Sequence, residues 1–379
     1  MFRKIRNLLV GTVTLMLAMS VNADPLGDCS SEPDLAGRSD VVMCEPFERS
    51  DWWSAHGYVG DGGLPPFPDI EPSAMSLTAI SNDECFDGSC LAVTTPQGTK
   101  NSLSIYWPLS NAGLEPEELY FRYYFKIGDN WTPEACYPDG TPNWPPEGKF
   151  PGIADTRTGG DPGGQCGNGG NQPNGLDCWS ARGVFTSCVD GLSSNGFQYD
   201  NTCAGANNGV ARIGSYMYVP DNGTSHGANA IWDHFAERNT MGDDFSSSCR
   251  RTDPDNPDSA CYCNAENNFY CGVGDSGGLE RYRWYAIETY VRMNTPGQSD
   301  GILRGWVDDK LAYEKTNVRF RDVGHDNLHA RLIWLNIYKG GSQGNCENGQ
   351  LFYDNMVVAQ QRIGASNIVR PSAPVIDDN

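Results

Sequence analysis

Polar and apolar residues alternate along several segments of the chain, and this two-residue period predicts β-strands. In the segment 119–127 (LYFRYYFKI), Leu, Phe, Tyr, Phe and Ile fall on one face, and Tyr, Arg, Tyr and Lys fall on the other. The same period occurs in four further segments: 285–294, 301–313, 331–338 and 351–359. The segment 301–313 is expected to form a hairpin that turns at Asp308 and Asp309. Because no stretch shows a sustained 3.6-residue period, we predict an all-β sandwich, specifically a jelly roll.

Irregular stretches separate these predicted strands. Three of them stand out by their glycine, proline, asparagine or aspartate content: 133–175, 201–208 and 243–278. We expect long loops, pinned by disulfides and inserted into one β scaffold. The third stretch carries Asp253, Asp255 and Asp258, so structural calcium is a candidate there. A solvated loop is the simpler interpretation, because the EF-hand pattern is missing.

The polar faces of the predicted strands have an unusual composition. In a sandwich one face of each sheet packs on the partner sheet, and the other face is free to bind a ligand. Here the second faces carry tyrosine, tryptophan, arginine and asparagine, whereas a plain solvated face usually carries scattered lysine, glutamate and threonine. Aromatic faces stack on sugar rings, so we interpret this surface as a saccharide-binding groove. The candidate substrate-binding residues on it are Arg122, Tyr124, Trp306 and Asn336.

The start of the chain is typical of a secretory signal peptide over residues 1–23. Three basic residues precede a short apolar run, and small residues stand at the expected cleavage position. The run is too short to span a membrane, and no later segment reaches the ~20 apolar residues needed. We therefore predict a single mature domain, residues 24–379, that is secreted or periplasmic, is not membrane-bound, and acts as a monomer.

The 14 cysteines fit an exported protein and allow up to seven disulfides, whose connectivity the sequence does not fix. Cys85 and Cys90 stand close enough in sequence to close a short loop. A zinc site around Cys261 and Cys263 is disfavoured, because the spacing is not that of a zinc finger and thiols are oxidised outside the cell.

Net charge excludes one class of partner. The full chain carries −21, and removal of the signal peptide makes it −24. Nucleic-acid binders normally show a basic patch, and the longest basic run here is Arg250-Arg251, so nucleic-acid binding is not expected. The acidity also opposes a polyanionic substrate at long range, although salt near the ionic strength of sea water shortens that range to a few ångströms.

Three short segments carry candidate chemistry: Gly148-Lys149-Phe150-Pro151-Gly152, Ser180-Ala181-Arg182 and Tyr216-Met217-Tyr218. Residues i and i+2 of a strand point to the same face, so each pair projects together. If the strands are neighbours, one face holds a lysine, a serine, an arginine and two tyrosines. Each motif alone is equally compatible with packing or with a turn.

That set suits β-elimination on a uronic-acid polymer. An arginine can neutralise the substrate carboxylate by bidentate pairing, which makes the C5 hydrogen acidic. A base then takes that proton, and an acid protonates the O4 leaving group. Tyrosine can serve in both roles if nearby cations lower its pKa from the usual value of about 10, and a lysine of depressed pKa can also be the base. The chemistry requires no cofactor.

The ordered series resembles the jelly-roll polysaccharide lyases of families fourteen and twenty, which cleave alginate or glucuronan. The similarity extends over about 119–364 and includes three later motifs: Trp306-Val307-Asp308-Asp309-Lys310, Tyr338-Lys339-Gly340-Gly341 and Tyr353-Asp354-Asn355-Met356. The resemblance implies a concanavalin-like β-jelly-roll sandwich and an anionic polysaccharide substrate. It also implies a role for each site residue: Lys149 as base or charge stabiliser, Arg182 as carboxylate partner assisted by Ser180, and Tyr216 and Tyr218 as the proton-transfer pair.

Two other classes remain open at the level of sequence. A non-catalytic, lectin-like carbohydrate-binding domain needs only the tyrosines and tryptophans. A sandwich-fold glycoside hydrolase needs two carboxylates facing one groove about 5–10 Å apart. Glu288 lacks a same-face acidic partner on its strand, so the hydrolase is the weaker alternative.

Overall fold

The computed structural model describes part of the chain. The described residues are 26–55, 57–60, 77–133, 135–137, 139–140, 142–143, 147–156, 166, 173–187, 191–192, 198–199, 209–220, 229–232, 279–325, 327–339 and 344–366. The predicted signal peptide and the candidate calcium stretch therefore lie outside the described residues. Within the described ranges, no helix is both long and apolar enough to cross a membrane.

Strands dominate this part of the chain, as predicted. In chain order they are β1 (Leu26–Gly27), β2 (Val41–Glu45), β3 (Val59–Gly60), β4 (Thr78–Ser81), β5 (Cys90–Thr95), β6 (Asn101–Pro108), β7 (Glu118–Ile127), β8 (Ala135–Cys136), β9 (Pro142–Asn143), β10 (Glu147–Thr156), β11 (Cys178–Ser187), β12 (Gly191–Leu192), β13 (Gln198–Tyr199), β14 (Gly209–Tyr218), β15 (Asn229–Trp232), β16 (Leu279–Glu280), β17 (Trp284–Arg292), β18 (Gly301–Val307), β19 (Lys310–Val318), β20 (Leu332–Lys339), β21 (Gly344–Asn345) and β22 (Gly349–Ala359). The helical elements are one α-helical turn, Trp52–Ala55, and one 3₁₀ turn, Leu109–Ala112.

Two sheets form the sandwich. The front sheet has the strand order β15-β14-β11-β10-β20-β6-β3, with β16 paired to β14. The back sheet has the order β1-β2-β22-β7-β17-β18-β19, with β5 paired to β22 and β4 to β5. Several neighbours, such as β22 and β7 or β20 and β6, come from distant parts of the sequence, as expected of a jelly roll.

One continuous apolar core fills the space between the sheets. The front sheet contributes such residues as Phe150 and Ile333, and the back sheet contributes Phe121, Phe125 and Val291. The Phe125 and Phe150 rings, one from each sheet, lie 4.7 Å apart between centroids. The alternation in segment 119–127 thus has its expected cause, because its apolar residues face this core.

The predicted hairpin is confirmed. It consists of β18 and β19, and Asp308 and Asp309 have φ angles of 51° and 66°. Both central residues of a two-residue type I′ turn need positive φ, which aspartate tolerates better than most residues.

The segment 133–175 is more ordered than its composition suggests, and the expectation of a long loop is wrong for part of it. It contains β8, β9 and all of β10. Pro151 stands inside β10, at a register shift between Phe150 and Gly152 relative to β11. Proline lacks a backbone N–H, so it is accommodated where the ladder is irregular.

Four disulfides connect described residues: Cys29–Cys44, Cys85–Cys90, Cys136–Cys346 and Cys166–Cys178. The predicted Cys85–Cys90 loop is confirmed. The other six cysteines, including Cys261 and Cys263, lie outside the described residues.

Candidate active site

The three motifs lie on three adjacent strands of the front sheet. Lys149 is on β10, Ser180 and Arg182 are on β11, and Tyr216 and Tyr218 are on β14. In the β11–β14 ladder Arg182 is opposite Tyr216, and Ser180 is opposite Tyr218. The strands that carry the three motifs are therefore neighbours.

All five side chains belong to the face of the front sheet that is turned away from the core. Their sequence neighbours Phe150, Ala181 and Met217 belong to the core cluster between the sheets. Since successive strand residues point to opposite faces, the motif residues share the outer face. Lys149, Arg182 and Tyr218 are nonetheless almost fully buried on this face.

Arg182 is held by three groups on two sides. Its guanidinium donates a hydrogen bond to Oδ1 of Asn336 on β20, at 2.9 Å. The same group lies 4.2 Å from the Trp334 ring centroid and 5.6 Å from that of Tyr218. Such cation–π contacts and the amide acceptor fix a planar cation without neutralising it.

Strand β10 approaches the backbone of β11 closely at Gly152. Strand β10 runs between β11 and β20, and Gly152 is paired with Arg182 on one side and with Trp334 on the other. A Cβ at Gly152 would lie 2.3 Å from the carbonyl oxygen of Ala181. Glycine is thus required by the close approach of the two backbones.

Lys149 and the two tyrosines form a second group beside Arg182. The Lys149 ammonium lies 3.9 Å from the Tyr216 ring centroid. The rings of Tyr216 and Tyr218 meet edge to face, with centroids 5.6 Å apart. Each tyrosine therefore has a cation near its ring.

Ser180 has a hydrogen-bond partner other than the predicted one. Its Oγ donates to the backbone oxygen of Cys166 at 2.5 Å, and the residue is completely buried. The hydroxyl therefore fixes the backbone of Cys166. The family resemblance implied a different role, in which Ser180 helps Arg182 to hold the substrate.

Sequence reasoning missed four outer-face residues of the front sheet: Ser104, Tyr106, Trp334 and Tyr338. Ser104 Oγ accepts hydrogen bonds from Trp334 Nε1 at 3.1 Å and from Asn336 Nδ2 at 3.3 Å. Burial raises the pKa of Tyr338, and the nearby Arg182 opposes that rise. The alternation along 332–338 was the available signal, because Trp334, Asn336 and Tyr338 occupy every second position.

Arg122 and Tyr124, two of the predicted substrate-binding residues, do not lie with the three motifs. They lie on β7 of the back sheet. Arg122 forms a buried ion pair with Glu32 and donates to the backbone oxygens of Asn355 and Gly364, each at 3.2 Å. The Tyr124 ring stacks on Phe86 with centroids 3.7 Å apart. Terminal segments of the chain thus cover this face.

Trp306, another predicted substrate-binding residue, is also on the back sheet, in β18. Its ring is covered by the Arg362 guanidinium at 4.1 Å. On the adjacent strand, Glu288 is buried and accepts hydrogen bonds from Arg362 Nε at 2.7 Å and from the backbone N–H of Ile363 at 2.8 Å. Asn336 is the one predicted binding residue, besides Ser180, that lies on the site face.

The site is an all-side-chain constellation. Among the residues that the structure describes, no group of three or more His, Cys, Asp or Glu side chains is arranged to hold a metal ion. An arginine fixed in orientation, a lysine and a pair of tyrosines can bind a carboxylate and transfer protons beside it. A β-sandwich that carries this set on the outer face of one sheet fits an enzyme that acts on an anionic polysaccharide.

The family comparison agrees with that class. Residues 215–353 match the model of polysaccharide lyase 14, a stretch that contains Tyr216, Tyr218 and Asn336. The resemblance derived from the motifs is thereby confirmed, and so is the prediction of a polysaccharide lyase. No curated protein sequence matches the chain.

Three solved structures of lyases are similar to this chain at low sequence identity. The alginate lyase vAL-1 from Chlorella virus is 13% identical, with a TM-score of 0.50 over 85% of this chain and 100% of that one. The marine PL-14 alginate lyase from Aplysia kurodai is 14% identical, with a TM-score of 0.45 over 76% and 88%. The endo-β-1,4-glucuronan lyase from the fungus Trichoderma reesei is 13% identical, with a TM-score of 0.39 over 80% and 94%. The first of these supports the jelly-roll sandwich.

Proposed function

We propose that this polysaccharide lyase cleaves a uronic-acid polymer, alginate (polymannuronate) or glucuronan, by β-elimination. The observation that carries the proposal is the grouping of Lys149, Arg182, Tyr216 and Tyr218 on the outer face of three adjacent strands. The lyases named above act on alginate or glucuronan, and their substrates are the natural candidates.

Arg182 is the proposed partner of the substrate carboxylate. Asn336 accepts a hydrogen bond from the guanidinium and Trp334 covers one of its faces, so the guanidinium is oriented in advance. Pairing with a carboxylate withdraws negative charge from the carbon that must lose a proton. Preorganisation of this kind requires no rearrangement during the reaction.

Tyr216 and Tyr218 are the proposed proton-transfer pair, and Lys149 is the proposed base or charge stabiliser. The base takes the proton from C5. The electron pair of the broken C5–H bond becomes the second bond of the C4–C5 double bond. The C4–O4 bond breaks, and the acid protonates the departing oxygen. The products are a new chain end and an unsaturated uronate, and no water or cofactor is consumed.

The proposal includes a location outside the cytoplasm. The disulfides between described residues are typical of oxidising compartments. Together with the signal-like residues 1–23 they support a secreted or periplasmic enzyme, which we propose to be a monomer acting on an anionic polysaccharide.

Ultraviolet absorbance tests the proposal, because the conjugated C4–C5 double bond absorbs and no hydrolysis product has it. The purified protein is mixed in turn with polymannuronate, polyguluronate, glucuronan and pectate. We expect a rise with one polymer that disappears in Lys149→Ala and Tyr218→Phe. Tyr120→Phe, on the back sheet, is the matched control and should keep wild-type turnover.

Two outcomes would contradict the proposal. Retarded migration of a polymer in a gel, without any absorbance rise, would indicate the lectin-like alternative. New reducing ends without absorbance would indicate a hydrolase.

A further inference from the structure

The Cys166–Cys178 disulfide lies against Tyr218 at the proposed active site. Both half-cystines are buried and form one apolar cluster with Tyr218, and Tyr216 packs against the same cluster. The other three disulfides between described residues involve none of the strands β10, β11 and β14. Among the disulfides between described residues, Cys166–Cys178 is therefore the one that contacts the proposed active site.

Cys166 is attached to β11 by two independent links. The first is covalent, to Cys178 at the start of β11. The second is the hydrogen bond that Ser180 Oγ donates to the Cys166 backbone oxygen at 2.5 Å. Ser180 and Cys178 are two residues apart and so project to the same face of the strand. The two links fix both the side chain and the backbone of Cys166.

These links leave Tyr218 little freedom. Its ring has the Arg182 guanidinium at 5.6 Å, the Tyr216 ring at 5.6 Å, and the Cys166–Cys178 pair as the remaining apolar neighbour. Tyr218 is only 1% exposed. Loss of the disulfide would remove that neighbour and allow the ring to turn away from Arg182.

We propose that Cys166, Cys178 and Ser180 are positioning residues that hold Tyr218 beside Arg182, so that the lyase is fully active only in its oxidised form. The inference rests on the proposed function, since it assigns the device to the proton-transfer tyrosine. None of the three residues acts on the reacting atoms. Reduction by a dithiol transfers two electrons, converts the disulfide to two thiols and closes the dithiol into its own disulfide.

The test compares two disulfide deletions. Cys166→Ala/Cys178→Ala removes the proposed device, and Cys85→Ala/Cys90→Ala removes a disulfide of the back-sheet side as the matched control. For the first variant we expect kcat to fall by about tenfold or more with KM changed by less than about threefold, because misplacement of a reacting group affects the chemical step. The control variant should keep kcat within about twofold.

The pH profile separates positioning from general damage. A tyrosine that changes both its distance from a cation and its burial also changes its pKa, so the limb of the kcat/KM profile that reports Tyr218 should move along the pH axis. Loss of folded enzyme would lower the profile without moving it. Ser180→Ala should shift the same limb in the same direction, with a smaller loss of kcat, while the disulfide stays in place.

An unchanged kcat and pH profile in Cys166→Ala/Cys178→Ala would overturn the inference. If circular dichroism shows that this variant does not fold, Ser180→Ala decides, and a wild-type profile in that variant would overturn it. A wild-type protein with no absorbance rise on any uronan would refute the proposed function instead. In that case ultraviolet titration of the tyrosines, with and without Tyr218→Phe, still reports whether the disulfide changes the ionisation of Tyr218.

Discussion

Arg182 and Asn336 are joined by a 2.9 Å hydrogen bond although their strands, β11 and β20, are not neighbours. Strand β10 lies between them and presents Gly152 at the crossing point. The hydrogen bond thus connects two strands across the strand between them. It gives Asn336 a role that neither motif nor composition assigns, namely to orient the guanidinium that faces the proposed carboxylate.

Replacing Asn336 by Ala should lower kcat/KM without unfolding the protein. A hydrogen bond to a charged group contributes about 1.5–3 kcal/mol, which corresponds to roughly a 10- to 150-fold loss. Initial rates of absorbance increase measure the effect. Asn317→Ala, at an exposed position of β19, is the control and should show wild-type kinetics. A wild-type rate for Asn336→Ala would show that Asn336 does not orient Arg182 for the reaction.

Ser104 should act one step further from the substrate. Its hydroxyl accepts from both Trp334 and Asn336, and it thereby determines which end of the Asn336 amide faces Arg182. In Ser104→Ala the amide is free to rotate and present its NH₂ group to the guanidinium. We expect a loss of a few fold to about tenfold in kcat/KM. Ser102→Ala, at an equally buried serine of the same strand, should cost far less activity.

Substitution of two tryptophans, one on each sheet, tests on which sheet the active site lies. Trp334 covers the Arg182 guanidinium, and Trp306 covers Arg362. Trp334→Ala should abolish most activity, and Trp306→Ala should reduce thermal stability while each folded molecule keeps its turnover. Activity normalised to the folded fraction measures both. Loss of turnover in Trp306→Ala with Trp334→Ala unaffected would place substrate on the back sheet.

The strands were predictable from the sequence because a half-buried strand must alternate. Leu119 to Ile127 shows this directly, since the residues assigned to the apolar face are those in the core. The turn at Asp308 and Asp309 was predictable for an equally local reason, the tolerance of aspartate for positive φ. The sequence alone did not establish that the three motif strands are neighbours. The structure pairs β10 with β11 and β11 with β14.

The alternation of polar and apolar residues does not show to which of the two sheets a strand belongs. Arg122 and Asn336 both occupy polar positions of alternating strands, yet one is covered by Glu32 and the other contacts Arg182. The difference arises from contacts between residues about 90 to 150 positions apart, which no local pattern records. The Ser180–Cys166 bond was unpredictable for a related reason, because a disulfide brings Cys166 back to β11.

The buried carboxyl of Asp354 should make the stability of the protein depend on pH. Burial raises its pKa to about 8, although the backbone N–H groups of Phe86, Asp87 and Asn355 donate to it and oppose the rise. In the unfolded chain the group titrates near the usual 3.8. The folded state therefore holds the proton more tightly than the unfolded state.

The sign of the pH dependence follows from that difference. The contribution of Asp354 to the free energy of unfolding is fully present below about pH 4 and is lost as pH rises toward 8. Asp354→Asn stays neutral, so the stability of wild type relative to this variant should fall between pH 5 and 8, by on the order of 4 kcal/mol. Urea titrations at several pH values measure it. Asp300→Asn is the control, because the pKa of exposed Asp300 is lowered by its hydrogen bonds to Thr295 and its effect is confined to acid pH. Parallel curves for wild type and Asp354→Asn would show that Asp354 is ionised in the folded protein.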